Sequence, residues 1–364
     1  MDVMQNNHSI IHRLPLPRPE ANADLVGHAA AEHLLWQAWH GNRLAHAWLV
    51  SGARGIGKAT LACRFSKFIL ACTNASRMCT PLYLPPSHPT FRRVAARSHA
   101  DFRLIERGSD DSDQRRTQIV VEDIRDLSRF LTLTAAEGGW RVAVIDDAES
   151  MNDSAGNALL KILEEPTSQS LILLVSHSPG QLLPTIRSRC CSLPLCPLTE
   201  RQVSVLLKRY RPALTPAAVL VLARLAEGSV GRALALADNN GVALYRTMLD
   251  LLASIPHLDG PALHAFSDQI AQADSRLFKT YGELLSAWLV RVARYGITGQ
   301  MMAEVLPGEA TLASHLTKVI RLDQWVEVWE KISHLYSRAE GLNLDRRQVV
   351  MSAFFAIAKL TRAR

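Results

Sequence analysis

Three glycines and a lysine in the segment GARGIGKAT, residues 52–60, have the types and spacing that can hold a phosphate. Gly52, Gly55 and Gly57 let successive backbone N–H groups turn inward around an anion. A following helix adds the positive end of its dipole, and Lys58 brings a mobile charge to β and γ phosphates. A plain glycine-rich turn would have the same composition, so the flanking sequence decides between the two. AHAWLVSG, 45–52, is short, apolar and closed by glycine, as a buried strand is, and LACRFSKFILA after Lys58 has helical character. Strand, glycine turn and helix in that order are the context a phosphate loop needs. The residue after the lysine, where a hydroxyl would bind Mg²⁺, is Ala59; Thr60 comes one position late and points about 100° away around a helix.

A second candidate lies 88 residues beyond Lys58. The run VAVIDDAESMN, 142–152, resembles a Walker B strand, in which an acid at the C-terminal end holds Mg²⁺ and the next acid orients the attacking water. Those positions are Asp146 and Asp147. A hydrolysing ATPase presents Glu second, and Asp is one methylene shorter, against a placement tolerance of ~0.5 Å in a working site. Taken alone, such a pair is a strand ending in a solvated acidic turn; its partnership with the phosphate loop gives it meaning. The two departures, at Ala59 and Asp147, predict a pocket that has lost or nearly lost hydrolysis. A backbone cradle with Lys58 can still hold phosphates, whereas hydrolysis needs metal and water positioned together.

The elements that must position these groups are legible in part. RVAVID, 141–146, and LILLVS, 171–176, have the length and content of buried parallel strands, and DFRLIE, 101–106, is a weaker one. Between the two clear runs, Ala155, Ala158, Leu159, Ile162 and Leu163 recur at helical spacing, with Asn152, Asp153 or Ser154 available as N-cap and Pro166 as a stop. Strands alternating with helices predict right-handed crossovers and a parallel sheet with helices on both faces, its strand ends forming one functional edge. This α/β domain is expected over 25–198. Residues 1–24 are polar, with Pro15, Pro17 and Pro19 too close for a helix, and read as a flexible arm. Beyond Pro197 the strand-like runs stop, and LTERQVSVLLKRY, TPAAVLVLARLAEG and SVGRALALAD read as helices. Near the end, Trp325, Val328, Trp329, Ile332 and Leu335 form an apolar stripe of helical period, as where a bundle helix meets its neighbours.

At 364 residues the chain exceeds one hydrophobic core, so two or three domains are expected. Apolar residues at 48% and charged residues at 21% argue against wholesale disorder, and no run approaches a membrane span. With a polar N-terminus, the expected location is cytoplasmic. The excess of 41 Lys and Arg over 34 Asp and Glu, a net +7, permits contact with nucleic acid without requiring it. Six cysteines without a CxxC pair are expected to stay reduced.

The segments HAWLVSGARGIGKATLA and NALLKILEEPTSQSLILLVSHSPGQLLPTIRSRC, 157–190, resemble the sliding-clamp-loader family, and within it the delta-prime subunits of bacterial DNA polymerase III. The resemblance covers about 25–240, and WVEVWEKISHLYSRAEGLNLDRRQ, 325–348, is similar to the helical collar of the same subunits. It implies an α/β AAA+ P-loop domain followed by a small helical lid, 199–243, and an all-α collar, 244–364. It also implies a five-subunit ring with motor and clamp-opening subunits, acting on primer-template DNA and indirectly on the sliding clamp. In that family a Ser-Arg-Cys motif places its arginine in a neighbour's nucleotide site. Here it is Ser188, Arg189 and Cys190, which makes Arg189 the implied trans arginine finger. From spacing alone Arg189 is a surface arginine capping the preceding helix. The family likewise implies a sensor at Ser176 or His177 and a second sensor at Arg232.

Many such subunits carry a four-cysteine zinc module after the phosphate-loop helix. This chain offers only Cys72 and Cys79, with His88 and His99 more distant, so no zinc is expected. ATP is the expected ligand if the pocket binds one, with Mg²⁺ only alongside it. Arg92, Arg93 and Arg97, and then Asp110, Asp111 and Asp113, read as solvated charge runs, with DNA phosphate as the alternative contact of the arginines. Three functions remain open: a structural loader subunit that lends Arg189 and is itself at most a weak ATPase; a motor ATPase recruiting Thr60 and Asp147; and a DNA-binding adaptor. Nothing in the sequence resembles a polymerase site, so any polymerase activity would belong to the assembly.

Overall fold

A computed structural model describes residues 16–72, 82–108, 118–272, 275–300, 303–342 and 344–362. Two compact units divide the chain. One holds residues through Leu206 with Glu227–Gly231, the other Leu207–Ala226 with Arg232 onward.

The first unit is built on five strands: β1 (Ala47–Ser51), β2 (Phe102–Ile105), β3 (Arg141–Ile145), β4 (Ser170–Ser176) and β5 (Cys191–Pro194). All pairings are parallel and the order is β2-β3-β4-β1-β5. The inner strands β1, β3 and β4 are buried along their whole length, which explains their unbroken apolar sequences. Alternate residues feed two separate cores. Val142, Val144, Leu171, Leu173 and Val175 pack with Phe65 and Phe68 of α2 (Lys58–Ala71) and with Leu35 of α1 (Ala29–His40). Ala143, Ile145, Ile172 and Leu174 face Ile124 and Leu127 of α4 (Val121–Thr132) and Leu159 of α5 (Asp153–Glu164). Each such leucine or valine, moved from water into the core, contributes ~1.5–3 kcal/mol. Between α2 and β2 lies α3 (Pro89–Ala95), and between β4 and β5 the single turn α6 (Pro184–Arg187).

The sheet matches the four predicted strands and adds a fifth. β5 escaped prediction because it is a four-residue edge in which only Leu193 is buried, and Pro194 suits an edge because it has no N–H to give. Of the three candidate caps for α5, Asn152 is the one used: its Oδ1 accepts from the Ala155 amide at 2.8 Å. Helix α5 stops at Glu164, before Pro166.

Beyond β5 every described element is a helix: α7 (Glu200–Tyr210), α8 (Pro216–Leu225), α9 (Val230–Asp238), α10 (Gly241–Ala253), α11 (Gly260–Gln272), α12 (Ser275–Thr298), α13 (Glu309–Val319), α14 (Leu322–Leu342) and α15 (Arg346–Arg362). None of the described helices is long and apolar enough to cross a membrane. In the second unit Trp325 meets Trp288 edge to face at 6.4 Å. Val328 and Ile332 are buried as the stripe predicts, whereas Trp329 is at the surface, donating to Ser286 Oγ at 3.0 Å. Buried Glu309 receives Arg291 at 2.9 Å, the Tyr245 hydroxyl at 2.8 Å and the Val305 amide at 2.8 Å, so its charge is fully partnered.

The expected arm through residue 24 is corrected over its last part; residues 1–15 lie outside the described structure. Pro19–Ala21 form a 3₁₀ turn in which Glu20 is wholly buried, with Arg97 Nε donating to its carboxylate at 2.7 Å. The anchor is an internal cation. Lys67 Nζ donates to the Glu20 and Asn22 carbonyls at 3.1 and 3.0 Å and sits 4.0 Å above the Phe91 ring. Proline spacing carried no information about this tertiary grip. Burial, reinforced by Arg64, lowers the Lys67 pKa to about 8, and Cys63 and Glu20 only partly oppose it. The unfolded chain therefore holds the extra proton between pH 8 and 10.5, and the Lys67 contribution to stability must rise with pH across that window. Denaturant titrations of wild type and Lys67→Met should show this rise in the difference between the two proteins; a flat difference contradicts it.

Candidate nucleotide site and edge arginine

The C-terminal ends of β1 and β4 lie side by side, Ser51 opposite Ser176. The turn from β1 into α2 begins there, at the edge where parallel sheets gather their ligands. Gly55 has φ of 75°, and a Cβ on it would lie 2.5 Å from Ser229 Oγ, so both conformation and space demand glycine. The contact fastens the loop: Gly231 N donates to Gly55 O at 3.0 Å, and Ser229 Oγ donates to Arg54 O at 2.7 Å. From the other side, His28 Nε2 meets Ile56 O at 2.7 Å. Helix α2 starts at Lys58 directly after Gly57, so its first amides open toward the loop.

Lys58 is folded inward, its Nζ donating to Ala53 O at 2.7 Å. Burial lowers its pKa, and Asp146 and Glu149 pull it back toward the charged form. Gly52, Gly55, Gly57, Lys58 and Asp146 are thus brought to one strand-end cluster. Ala59 and Thr60 are successive residues of α2, both half-buried. Asp146 is raised above its usual range by burial and by neighbouring Glu106, with Lys58 opposing.

Asp147 is not a free water-orienting acid. It takes a left-handed backbone conformation, φ 58°, forms an ion pair with Arg107 and lies 3.3 Å from His177 Nδ1. The decisive carboxylate is Glu149, on the 3₁₀ turn Ala148–Ser150. Its Oε1 accepts from the amides of His177 at 2.8 Å and Ser178 at 2.9 Å, and lies 2.8 Å from His177 Nδ1. Burial alone would raise the Glu149 pKa, but its own amide, the His177 amide and the imidazole hold it below the usual value. His177 is lowered by burial, with Glu149 opposing and Lys58, Arg54 and Arg107 adding to the effect. Ser176 and His177 therefore end β4 beside the acids, and the ring is clamped by Glu149.

Sequence reasoning missed Arg107 and Glu149. A signal existed for the first: β2 and β3 pair with Ile105 opposite Ile145, so two residues further on Arg107 falls opposite Asp147. Glu149 carried only its proximity to the acid pair.

Asp147, Glu149 and His177 offer ligand atoms within 4.8 Å of one another, a spacing a metal ion could span. The fit for Mg²⁺ is poor, because Arg107 already compensates Asp147, two amides and an imidazole engage Glu149, and position 59 has no hydroxyl. Of the zinc candidates, Cys79 lies outside the described residues, and so does the charge run Asp110, Asp111 and Asp113. His88 Nδ1 caps α3 through the Thr90 amide, and His99 Nδ1 accepts from the Asp101 amide, each at 3.2 Å.

Arg189 stands elsewhere. It precedes β5, whose first residue, Cys191, pairs with Trp48 near the start of β1. The phosphate loop leaves the other end of β1, four residues on, so at ~3.3 Å per residue about 13 Å of strand separates the two levels. Arg189 Nη2 meets Glu164 Oε1 at 2.7 Å and Nη1 donates to Thr185 O at 3.0 Å, which directs the guanidinium away from its own loop. Arg232 lies in α9 of the second unit, with Nη2 3.5 Å from the Glu283 carbonyl.

The Glu149 clamp is testable through pH. Its depressed folded pKa means that the stabilisation is present above the ordinary glutamate value of 4.5 and lost as pH falls through the folded value. Glu149→Gln should cost about 1.5–3 kcal/mol at pH 7, the worth of charge-assisted hydrogen bonds, and reduce the acid sensitivity as pH falls below 4.5. Equal melting curves for both proteins contradict the clamp.

A family model described as DNA polymerase III, delta subunit, matches residues 27–199. The delta-prime subunit of Pseudomonas aeruginosa DNA polymerase III is 37% identical over 179 residues, 48% of this chain and 50% of that protein. The Escherichia coli delta-prime subunit is 29% identical over 78% of this chain and 79% of that protein. The Escherichia coli tau subunit is 34% identical over 61% of this chain but only 33% of its own length. The matched segment thus spans half of the Pseudomonas relative and a third of tau. The likeness read from the sequence is borne out: the chain is similar to the delta-prime and tau subunits of DNA polymerase III.

Proposed function

We propose that this chain is a delta-prime-type subunit of a clamp loader, an AAA+ module that hydrolyses little or no ATP itself and completes a neighbour's ATP site with Arg189. The observation that carries the reading is the separation of the two functional groups on one parallel sheet. An arginine at the N-terminal edge of β5, about 13 Å of strand from its own loop, is of use only to another subunit. Guanidinium suits that task because it stays charged and meets phosphate oxygens with a fork of donors. Its present ion pair with half-exposed Glu164 is worth only about 0–1 kcal/mol, so it can be released on assembly.

The chain's own pocket keeps the parts that bind phosphate and lacks those that cleave it. Loop amides and Lys58 would hold an ATP phosphate tail, Arg232 would approach it from the lid, and Mg²⁺ would find Asp146 without a hydroxyl partner from Ala59. With Asp147 engaged by Arg107, no acid is free to orient water. In this reading the partners are motor and clamp-opening subunits in a five-membered ring around primer-template DNA. The helices of 199–243 serve as lid and those of 244–364 as collar, the sliding clamp is handled indirectly, and the setting is cytoplasmic. The similarity to tau favours a second reading, a motor ATPase using Thr60 and Asp147, against which stand Ala59 and the Arg107–Asp147 pair.

Arg189→Ala, built into the reconstituted assembly, should leave folding and subunit stoichiometry intact. It should slow hydrolysis at the adjoining site on the order of 10³-fold or more, seen as a reduced DNA-stimulated phosphate release. Arg189→Lys should rescue little of it. Undiminished release in the alanine assembly excludes the trans role.

A further inference from the structure

In the second unit, α14 and α15 pack side by side and leave a groove of about 670 Å³ between their outer faces. Its walls are regular. Lys331, Leu335 and Arg338 recur at i, i+4 and i+7 along α14, and Ser352, Phe355 and Lys359 at i, i+3 and i+7 along α15. The floor is apolar, with Leu335 half-buried and the Phe355 ring 52% exposed although it lies within a helix–helix seam. No acidic residue lines the groove, and Lys331, Arg338 and Lys359 have no hydrogen-bond or ion-pair partner among the described residues. An exposed aromatic ring flanked by three uncompensated cations is unfavourable surface for an isolated chain and a matched one for an acidic, amphipathic ligand.

We propose that this groove docks an acidic amphipathic helix from a partner protein. The seven-residue span from Lys331 to Arg338 measures about 10 Å along α14, room for about two turns of a bound helix. One apolar side chain of that helix would cover Phe355 and Leu335, and carboxylates on its flanks would meet Lys331, Arg338 and Lys359. The aliphatic stems of the two lysines extend the apolar wall, so cation and hydrocarbon recognise the same segment. A nucleic-acid strand fits less well, because it needs successive stacking surfaces and the groove provides a single ring.

The test uses the full chain and a fluorescein-labelled synthetic helix of about four turns. That peptide has leucines at i, i+3, i+4 and i+7 and glutamates elsewhere. The controls are the same peptide with lysines for glutamates, and a single-stranded DNA oligonucleotide of similar charge. Fluorescence anisotropy should show saturable binding of the glutamate peptide that weakens as salt is raised. Affinity should fall about tenfold or more with Lys331→Glu/Lys359→Glu and also with Phe355→Ser. All three positions are exposed, so melting temperature should be unchanged and the loss belongs to the groove. Absent binding, binding that ignores either variant, or equal binding of the lysine peptide overturns the proposal. Tighter binding of the oligonucleotide, lost with Phe355→Ser, would assign the groove to nucleic acid instead. Self-association of the chain, removed by Phe355→Ser in sedimentation, would assign it to a second copy and equally overturn the proposal.

Discussion

The parallel pairing of β1 with both β4 and β5 is the constraint on which the rest of the structure depends. Parallel strands put all their C-terminal ends at one edge, so the phosphate loop after β1, the acids after β3 and the His177 turn after β4 must converge there. The same geometry sends whatever precedes β5 to the opposite edge. Arg189 is therefore kept from its own loop by hydrogen-bonded strand, not by a flexible choice of rotamer. The proposed function uses the first edge to bind and the second to donate.

At the binding edge, the residues divide by the task they can still perform. Backbone devices are intact: glycine at position 55 lets Ser229 and Gly231 press against the loop, and α2 begins at the lysine. The acids that would manage metal and water are engaged internally through one oxygen each, while Asp147 Oδ1 and Glu149 Oε2 accept no hydrogen bond. Arg107 compensates Asp147, and Glu149 spends its charge on two amides and an imidazole. Such a network rigidifies the turn after β4.

Much of this was legible in the sequence, and what was not has identifiable causes. The strands β1, β3 and β4 announced themselves because central parallel strands are buried on both faces and so are written as uninterrupted apolar runs. β5 is short, mostly exposed and ends in proline, and its pairing with β1 is a tertiary fact. The loop glycines and Lys58 could be read because they stand next to each other in the chain, between a legible strand and a legible helix. Arg107 acts on a residue 40 positions away in sequence, and only the β2–β3 register brings it opposite Asp147. Glu20 looked like part of a loose arm because nothing local reveals that Lys67, inside α2, holds its carbonyl.

The central claim is that this polypeptide can cradle nucleotide phosphates but cannot turn nucleotide over. Phosphate release by the purified chain under saturating Mg-ATP, measured against Lys58→Ala as a contamination baseline, addresses it most directly. The two traces should coincide over many hours. Sustained release by the wild type, abolished in the Lys58→Ala protein, would show a working motor and contradict it.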